Sequence, residues 1–441
     1  MKYIISLIIF IFFILVSLIL KKNKKYYNKF SILLISTAII FSSAIKWGLI
    51  YFEINNYLII INSFSLLLIL LIILLYKKNK ISFFKSEFKF IFICLLIIIL
   101  IILFQAILLK IYNTTNYISI LTVYINLLLL LLFSYTLSKY NYNIKEIIIP
   151  IVIFSFINSI LGLIQFKTGK LFINFKDQEA LIRSYSTVKR VSGFIIGDNG
   201  AGNLGAILFP ILLYNYNNKK NLINLLVLVL NILFTILTFT RIGYLAIIIE
   251  IMIYFLYKNK FNNIKNIILF ITKIIIIYFC IICFYKFAYN KFYQILFIDR
   301  GDTVTGRFLQ FRYALMAFIT KPLSGIGTGQ YNEYIVNNLF LFDPCVIHSQ
   351  LLNTLVEGGL LIFIPFILFN IFIILKLIKK YKMKNEFIYI IMLIIGNLIA
   401  TNFNPNQYYD INIYIYYTIL FLFLFENKVD FKNKTKDSFY N

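Results

Sequence analysis

Long apolar runs recur from one end of this chain to the other, most of them near the roughly 20 residues a helix needs to cross a hydrocarbon core of about 30 Å. A chain made of such runs cannot bury them all in one soluble core. Composition agrees: 61% of the 441 residues are hydrophobic and 14% are charged, against about a quarter charged in a soluble domain. The expected fold class is an all-α polytopic membrane protein of about 12–13 transmembrane helices.

The runs fall at 3–20, 30–50, 57–75, 90–109, 117–137, 147–166, 194–214, 222–239, 242–257, 267–285, 351–375, 387–400 and 411–425. Lysines crowd the loops after odd-numbered runs, as with Lys21, Lys22, Lys24 and Lys25 after the first and Lys376, Lys379 and Lys380 after the eleventh. Loops after even-numbered runs are nearly bare. Excess Lys and Arg in short loops marks the cytoplasmic side, so the net charge of +26 records topology and calls for no nucleic-acid partner. The N-terminus is placed outside and the tail 427–441 inside. The first run lacks a basic leader and a small-residue cleavage site and is read as retained.

Several chemistries have nothing to stand on. Cys94, Cys280 and Cys283 sit in apolar runs, and the C-x-x-C pair has no second ligand pair. One histidine and scattered carboxylates make no zinc site, so no metal is expected. Gly325, Gly327 and Gly329 lack the Lys-Ser/Thr ending of a phosphate loop, and no cofactor is expected. Gly197, Gly200, Gly202 and Gly205 are read as close helix packing, with Asp198 and Asn199 able to face a site. Glu250 lies in an apolar run, either protonated and packed or paired with a lysine near the inner surface.

Two features point to a site. His348 is the single histidine, the side chain suited to trade a proton near neutrality, and it stands where a leucine-patterned helix begins. Arginine occurs only as Arg183, Arg190, Arg241, Arg300, Arg307 and Arg312, each in or beside a loop assigned outside by lysine counts alone. Guanidinium is a permanent planar fork suited to phosphate and carboxylate. Its confinement to one face implies an anion site there. The loop at 289–349 is too long for a simple turn and is expected to carry a short amphipathic helix at 308–320, where Phe308, Phe311, Leu315 and Phe318 recur at helical spacing.

The stretch G-R-F-L-Q-F-R-Y-A-L-M-A-F-I-T-K-P-L-S-G-I-G-T-G-Q-Y from Gly306, followed by H-S-Q-L-L-N-T-L-V-E-G-G from His348, resembles the O-antigen ligase and polymerase family. R-V-S-G-F at Arg190 and T-F-T-R-I-G around Arg241 resemble its earlier segments, with Ser349 replacing the usual Asn. The resemblance spans roughly residues 183–365. It divides the chain into N-terminal helices at 1–166, a ligase/polymerase-like core at 167–426 containing the large extracytoplasmic loop, and the cytoplasmic tail.

The resemblance implies glycan transfer at the outer face of a bacterial cytoplasmic membrane, from a saccharide on a polyprenyl diphosphate to a glycan, lipid or protein acceptor. On that reading His348 is the base, and Arg190, Arg241 and Arg307 meet the pyrophosphate charge. Arg183, Arg300, Arg312 and Glu357 are assigned to substrate binding, Glu357 as an orienting or hydrogen-bonding group. The alternative is a carrier or flippase without chemistry. A carrier calls for charges along a path through the midplane, whereas here they gather on one face. Polymerase and ligase are not separated.

Overall fold

The computed structural model describes residues 49–54, 57–75, 86–139, 144–170, 184–185, 188–195, 197–258, 303–341, 346–404 and 409–426. The expected runs at 3–20 and 267–285, nearly all of that at 30–50, Arg183, Arg300, Cys280, Cys283, Cys345 and the tail 427–441 lie outside the described residues.

The described chain is helical apart from two short hairpins. Strand β1 (Leu49–Ile54) pairs antiparallel with β2 (Tyr57–Asn62). The helices that follow are α1 (Ser63–Leu75), α2 (Ser86–Leu108), α3 (Thr114–Ser138) and α4 (Ile144–Thr168). The second hairpin, β3 (Ser184–Tyr185) with β4 (Val188–Lys189), leads to α5 (Asp198–Asn218), α6 (Leu222–Leu237) and α7 (Arg241–Lys258). Then come α8 (Thr303–Thr320), α9 (Tyr331–Leu339), α10 (Gln350–Tyr381), α11 (Phe387–Phe403) and α12 (Asp410–Phe425).

Ser86–Leu108, Thr114–Ser138, Ile147–Thr168 and Gln350–Tyr381 are each long and apolar enough to cross a membrane, and four shorter apolar helices accompany them. The run expected at 57–75 is corrected. Its first six residues form β2, because the β-branched stretch at 59–61 pairs with β1, and only Ser63–Leu75 is helical.

Polar caps mark where several helices begin. Asn113 accepts from Asn116 N–H at 2.9 Å, Asn221 from Asn224 N–H at 2.9 Å, and Ser349 from Leu352 N–H at 3.3 Å. Helix α5 is the hub, packed on α6, α7 and α11. Its glycines are why: a Cβ on Gly202 would strike Thr240, one on Gly205 would strike Thr235, and one on Gly200 would strike the Tyr409 ring. The close-packing reading of these glycines is borne out. Elsewhere α10 packs on α2, and α12 on α3.

The lysine-bearing end of the bundle is tied by Lys376 to Glu87 at 3.2 Å. There Lys380 Nζ also donates to the carbonyls of Phe423, Leu424 and Glu426 at 2.7, 3.0 and 2.8 Å, closing the C-terminus of α12. His348 stands at the other end of the same α10.

At that other end α10 is not continuous. Gly359 takes φ 63° and ψ −174°, dividing it into two helical pieces. The glycine loop at 321–330 crosses the break. Ile326 N–H donates to Val356 O and Gly327 N–H to Glu357 O, both at 3.1 Å. In return Leu360 N–H donates to Pro322 O at 3.0 Å and Leu361 N–H to Leu323 O at 3.2 Å. Irregular backbone at membrane depth persists only where protein satisfies it, and these four bonds do so. The approach is backbone on backbone: a Cβ on Gly325 (φ 71°) would collide with Glu357 O.

Helix α8 contains the expected amphipathic segment. Ala314 and Ala317 are buried, while Phe308, Phe311, Leu315 and Ile319 face outward, the apolar surface that a helix resting on lipid presents.

Gly325→Ala is expected to destabilise the protein by more than the ~1–2 kcal/mol of a left-handed residue, because the new methyl group also meets backbone. Gly306→Ala, inside α8 with nothing within 4 Å of its Cβ, is expected to be neutral or to stabilise by up to ~1 kcal/mol. Thermal midpoints of the two variants in detergent decide this; equal midpoints refute the backbone crossing.

Candidate functional site

His348 is half-buried just ahead of the Ser349 cap. It lines a pocket with Arg307, Gln310 and Phe311 of α8, Leu352 of α10, and Asn402 and Phe403 from the end of α11. Ser349 Oγ donates to Asn402 Oδ1 at 3.0 Å, joining the start of one helix to the end of another at the pocket wall. The Arg307 guanidinium stands 5.5 Å from the centroid of the Phe403 ring, a cation–π contact that gives the charge a direction. Burial, and then the positive charge of Arg307, push the His348 imidazole below its ordinary value of 6.5. His348 is therefore neutral near pH 7 and able to accept a proton.

Arg190 occupies a different setting. It is 5% exposed, and its fork is committed inside the protein: Nη1 pairs with Asp198, Nη2 donates to Asn199 Oδ1 at 3.1 Å and Thr240 Oγ1 at 3.3 Å, and Nε donates to Thr238 O at 2.9 Å. Thr240 Oγ1 in turn donates to Asp198 O at 3.0 Å. Arg190 thus bolts the start of α5 to the corner 238–240, where Phe239 turns with φ 50°. Arg241, the residue after that corner, is the first of α7 and is partly exposed. Asp198 and Asn199 act here as partners of Arg190.

The two sets share a wall. Asn203, one turn along α5 from Asn199, donates to Ala400 O at 3.3 Å and Asn404 O at 3.1 Å. Those carbonyls flank the Asn402 and Phe403 that line the His348 pocket.

Glu357 does not line that pocket. It is 3% exposed, and its carboxylate accepts from Gly329 N–H at 2.9 Å, Tyr331 N–H at 3.2 Å and Asn353 Nδ2 at 3.1 Å. Its visible work is to anchor the end of the glycine loop. Arg312 is exposed on α8 and also lies outside the pocket lining. A second cavity behind the first piece of α10 is walled by aliphatic residues such as Ile102, Ile120 and Ile362 together with Tyr124, Gln350, Asn353 and Glu357, and carries neither arginine nor histidine. Among the described residues no cluster of His, Cys, Asp or Glu is arranged to hold a metal.

Gln310, Asn402 and Phe403 were not legible as site residues. Asn402 and Phe403 lie just beyond the run expected at 387–400, within T-N-F-N-P-N at 401–406. That asparagine cluster was the available signal.

Residues 226–367 match the family model described as O-antigen ligase. This segment runs from α6 into α10 and contains Arg241, Arg307, Arg312, His348, Glu357 and the glycine loop; Arg190, α2, α3 and α11 lie outside it. No curated protein matches the chain. The matched segment contains the broken-helix crossing and, apart from Asn402 and Phe403, the lining of the His348 pocket, and over that segment this membrane-spanning chain is similar to the O-antigen ligase family.

Proposed function

We propose that this chain transfers a glycan from a polyprenyl-diphosphate donor to an acceptor hydroxyl at the outer face of the bacterial cytoplasmic membrane, extending or joining a surface polysaccharide. The observation that carries the reading is the His348 imidazole held with the fixed cation Arg307 in one pocket at a helix start.

In this proposal the acceptor hydroxyl gives its proton to His348 as its oxygen attacks the anomeric carbon. The bond to the diphosphate breaks, and the polyprenyl diphosphate departs with the electron pair. Attack from the face opposite the leaving group inverts the anomeric carbon. Arg307 and Arg241 supply fixed positive charge to the leaving group, usually the largest single contribution to such catalysis. Arg190 braces the corner that presents Arg241. Arg312, with Arg183 and Arg300, is assigned to drawing the anionic donor towards the site, and Glu357 to holding the loop in place. The Arg307 charge that keeps His348 neutral also hastens the return of the proton, because imidazolium beside guanidinium is disfavoured.

His348→Ala and His348→Asn are both expected to lower transfer by ~100- to 10,000-fold while leaving the folded yield unchanged. The measurement is turnover by purified protein across a panel of undecaprenyl-diphosphate-linked saccharides; near-normal turnover by His348→Asn removes the base assignment.

The pH profile gives a second test. A base held below 6.5 makes kcat/KM rise with pH through a half-maximum that falls below 6.5. Arg307→Gln removes one of the two depressing causes, so its acid limb should move to higher pH whatever its plateau. An acid limb that stays in place counts against the pairing.

Sidedness is read by cysteine labelling in intact cells on a cysteine-free background. Asn337→Cys on exposed α9 should react with an impermeant maleimide, and Met383→Cys, at a residue 93% exposed in the turn after α10, should be protected. The reverse pattern inverts the proposed orientation.

A further inference from the structure

We propose that Gln105 is a positioning residue for the reaction: its buried amide ties α2 to both sides of the crossing between the glycine loop and α10, and so sets the direction of the α10 piece that carries His348. This rests on the reading of His348 given above. Gln105 lies in the membrane-spanning helix Ser86–Leu108, well outside the segment that matches the family model.

Gln105 is 2% exposed, and its side chain uses both ends. Nε2 donates to Ser324 O at 2.5 Å and to Glu357 O at 3.0 Å. Oε1 accepts from Thr328 N–H at 3.2 Å and Thr328 Oγ1 at 2.5 Å. Three of these bonds hold the loop and one holds α10 at the residue two before the break. Glu357 O is the same carbonyl that receives Gly327 N–H, so one amide grips the place where the two segments touch.

The geometry explains why a lever of this kind matters. Past Gly359 the regular helical ladder no longer fixes the piece at 350–358, and its direction comes from what clasps its end. The clasp consists of the Ile326 and Gly327 N–H groups of the loop, the Glu357 carboxylate and Gln105. His348 stands two residues beyond the far end of that piece, where a small tilt becomes a displacement, and misplacement by about 1 Å can cost ~100-fold in rate. An amide suits the role because it donates and accepts without charge. Leucine would leave Thr328 N–H and two carbonyls without this partner in the bundle interior.

The test uses full-length protein in detergent, with all values taken per folded molecule. Because His348 is the only histidine, its acylation by diethyl pyrocarbonate, located by mass spectrometry and reversed by hydroxylamine, reports on that one side chain. Gln105→Leu is expected to change the acylation rate constant several-fold and to lower kcat by ~100-fold with KM for the undecaprenyl-diphosphate donor nearly unchanged. Thr328→Val keeps shape and removes one of the four bonds. It should shift both readouts less, in the same direction, and it decides between the outcomes if Gln105→Leu does not fold. A wild-type acylation rate in the folded variants overturns the proposal, since a merely structural residue lowers yield and thermal midpoint without altering His348. The His348 reading fails differently. Active His348→Asn with altered acylation in the Gln105 variant removes the base and keeps the positioning role, while inactive His348→Asn with unaltered acylation does the reverse.

Discussion

The fold turns on one backbone crossing, in which the loop at 321–330 lies across the break in α10 and each segment satisfies the other's N–H and C=O groups. A break inside a membrane helix exposes polar backbone where water cannot reach it, and each unsatisfied group costs several kcal/mol. That penalty makes the crossing obligatory once α10 is broken. It also explains two glycines at once: Gly325 and Gly359 both take positive φ, and a Cβ on either would enter the other's backbone. Glu357 and Gln105 then close the crossing from the side-chain level, with a carboxylate for the N–H groups of Gly329 and Tyr331 and an amide for the Ser324 and Glu357 carbonyls and the Thr328 N–H.

The arginines divide by environment. Arg190 is surrounded by Asp198, Asn199, Thr238 and Thr240 and shapes the corner ahead of Arg241. Removing one partner of such a buried pair leaves an uncompensated charge, which is strongly destabilising; a loss of activity at Arg190 is therefore not by itself evidence for substrate contact. Arg307 instead lines the same pocket as His348, leans over Phe403, and through its charge helps decide the protonation of the imidazole. One residue type thus serves structure at one position and electrostatics at another.

Polar groups inside the bundle are mostly matched in pairs, as with Ser65, Asn126 and Tyr414 joining α1, α3 and α12. Glu250 is different. It is fully buried, its carboxyl lies against Gly396 of α11, and neither oxygen has a hydrogen-bond partner among the described residues. Of the two readings open for it, the packed carboxyl is the one this arrangement favours over a lysine pair. Gly396 makes the arrangement possible, because any side chain there would fill the space the carboxyl occupies.

By itself the sequence determined the membrane class, the course of most helices and the presence of a helix at 308–320, because hydrocarbon thickness and the helical period act on residues close together in the chain. It also singled out His348 and the arginines by their rarity. It did not reveal β2, since a β-branched apolar run reads as helix or strand until its partner is known. Nor did it show that Pro322–Gly327 and Glu357–Gly359 form one structure, that Glu357 anchors the loop, or that Arg190 faces Asp198. Those facts depend on contacts between distant segments, and Gln105 is the clearest case: within its own run it is one polar residue among aliphatics. Only the packing of α2 on α10 brings its amide to the crossing, because hydrogen-bond partners more than two hundred residues away leave no trace in local pattern.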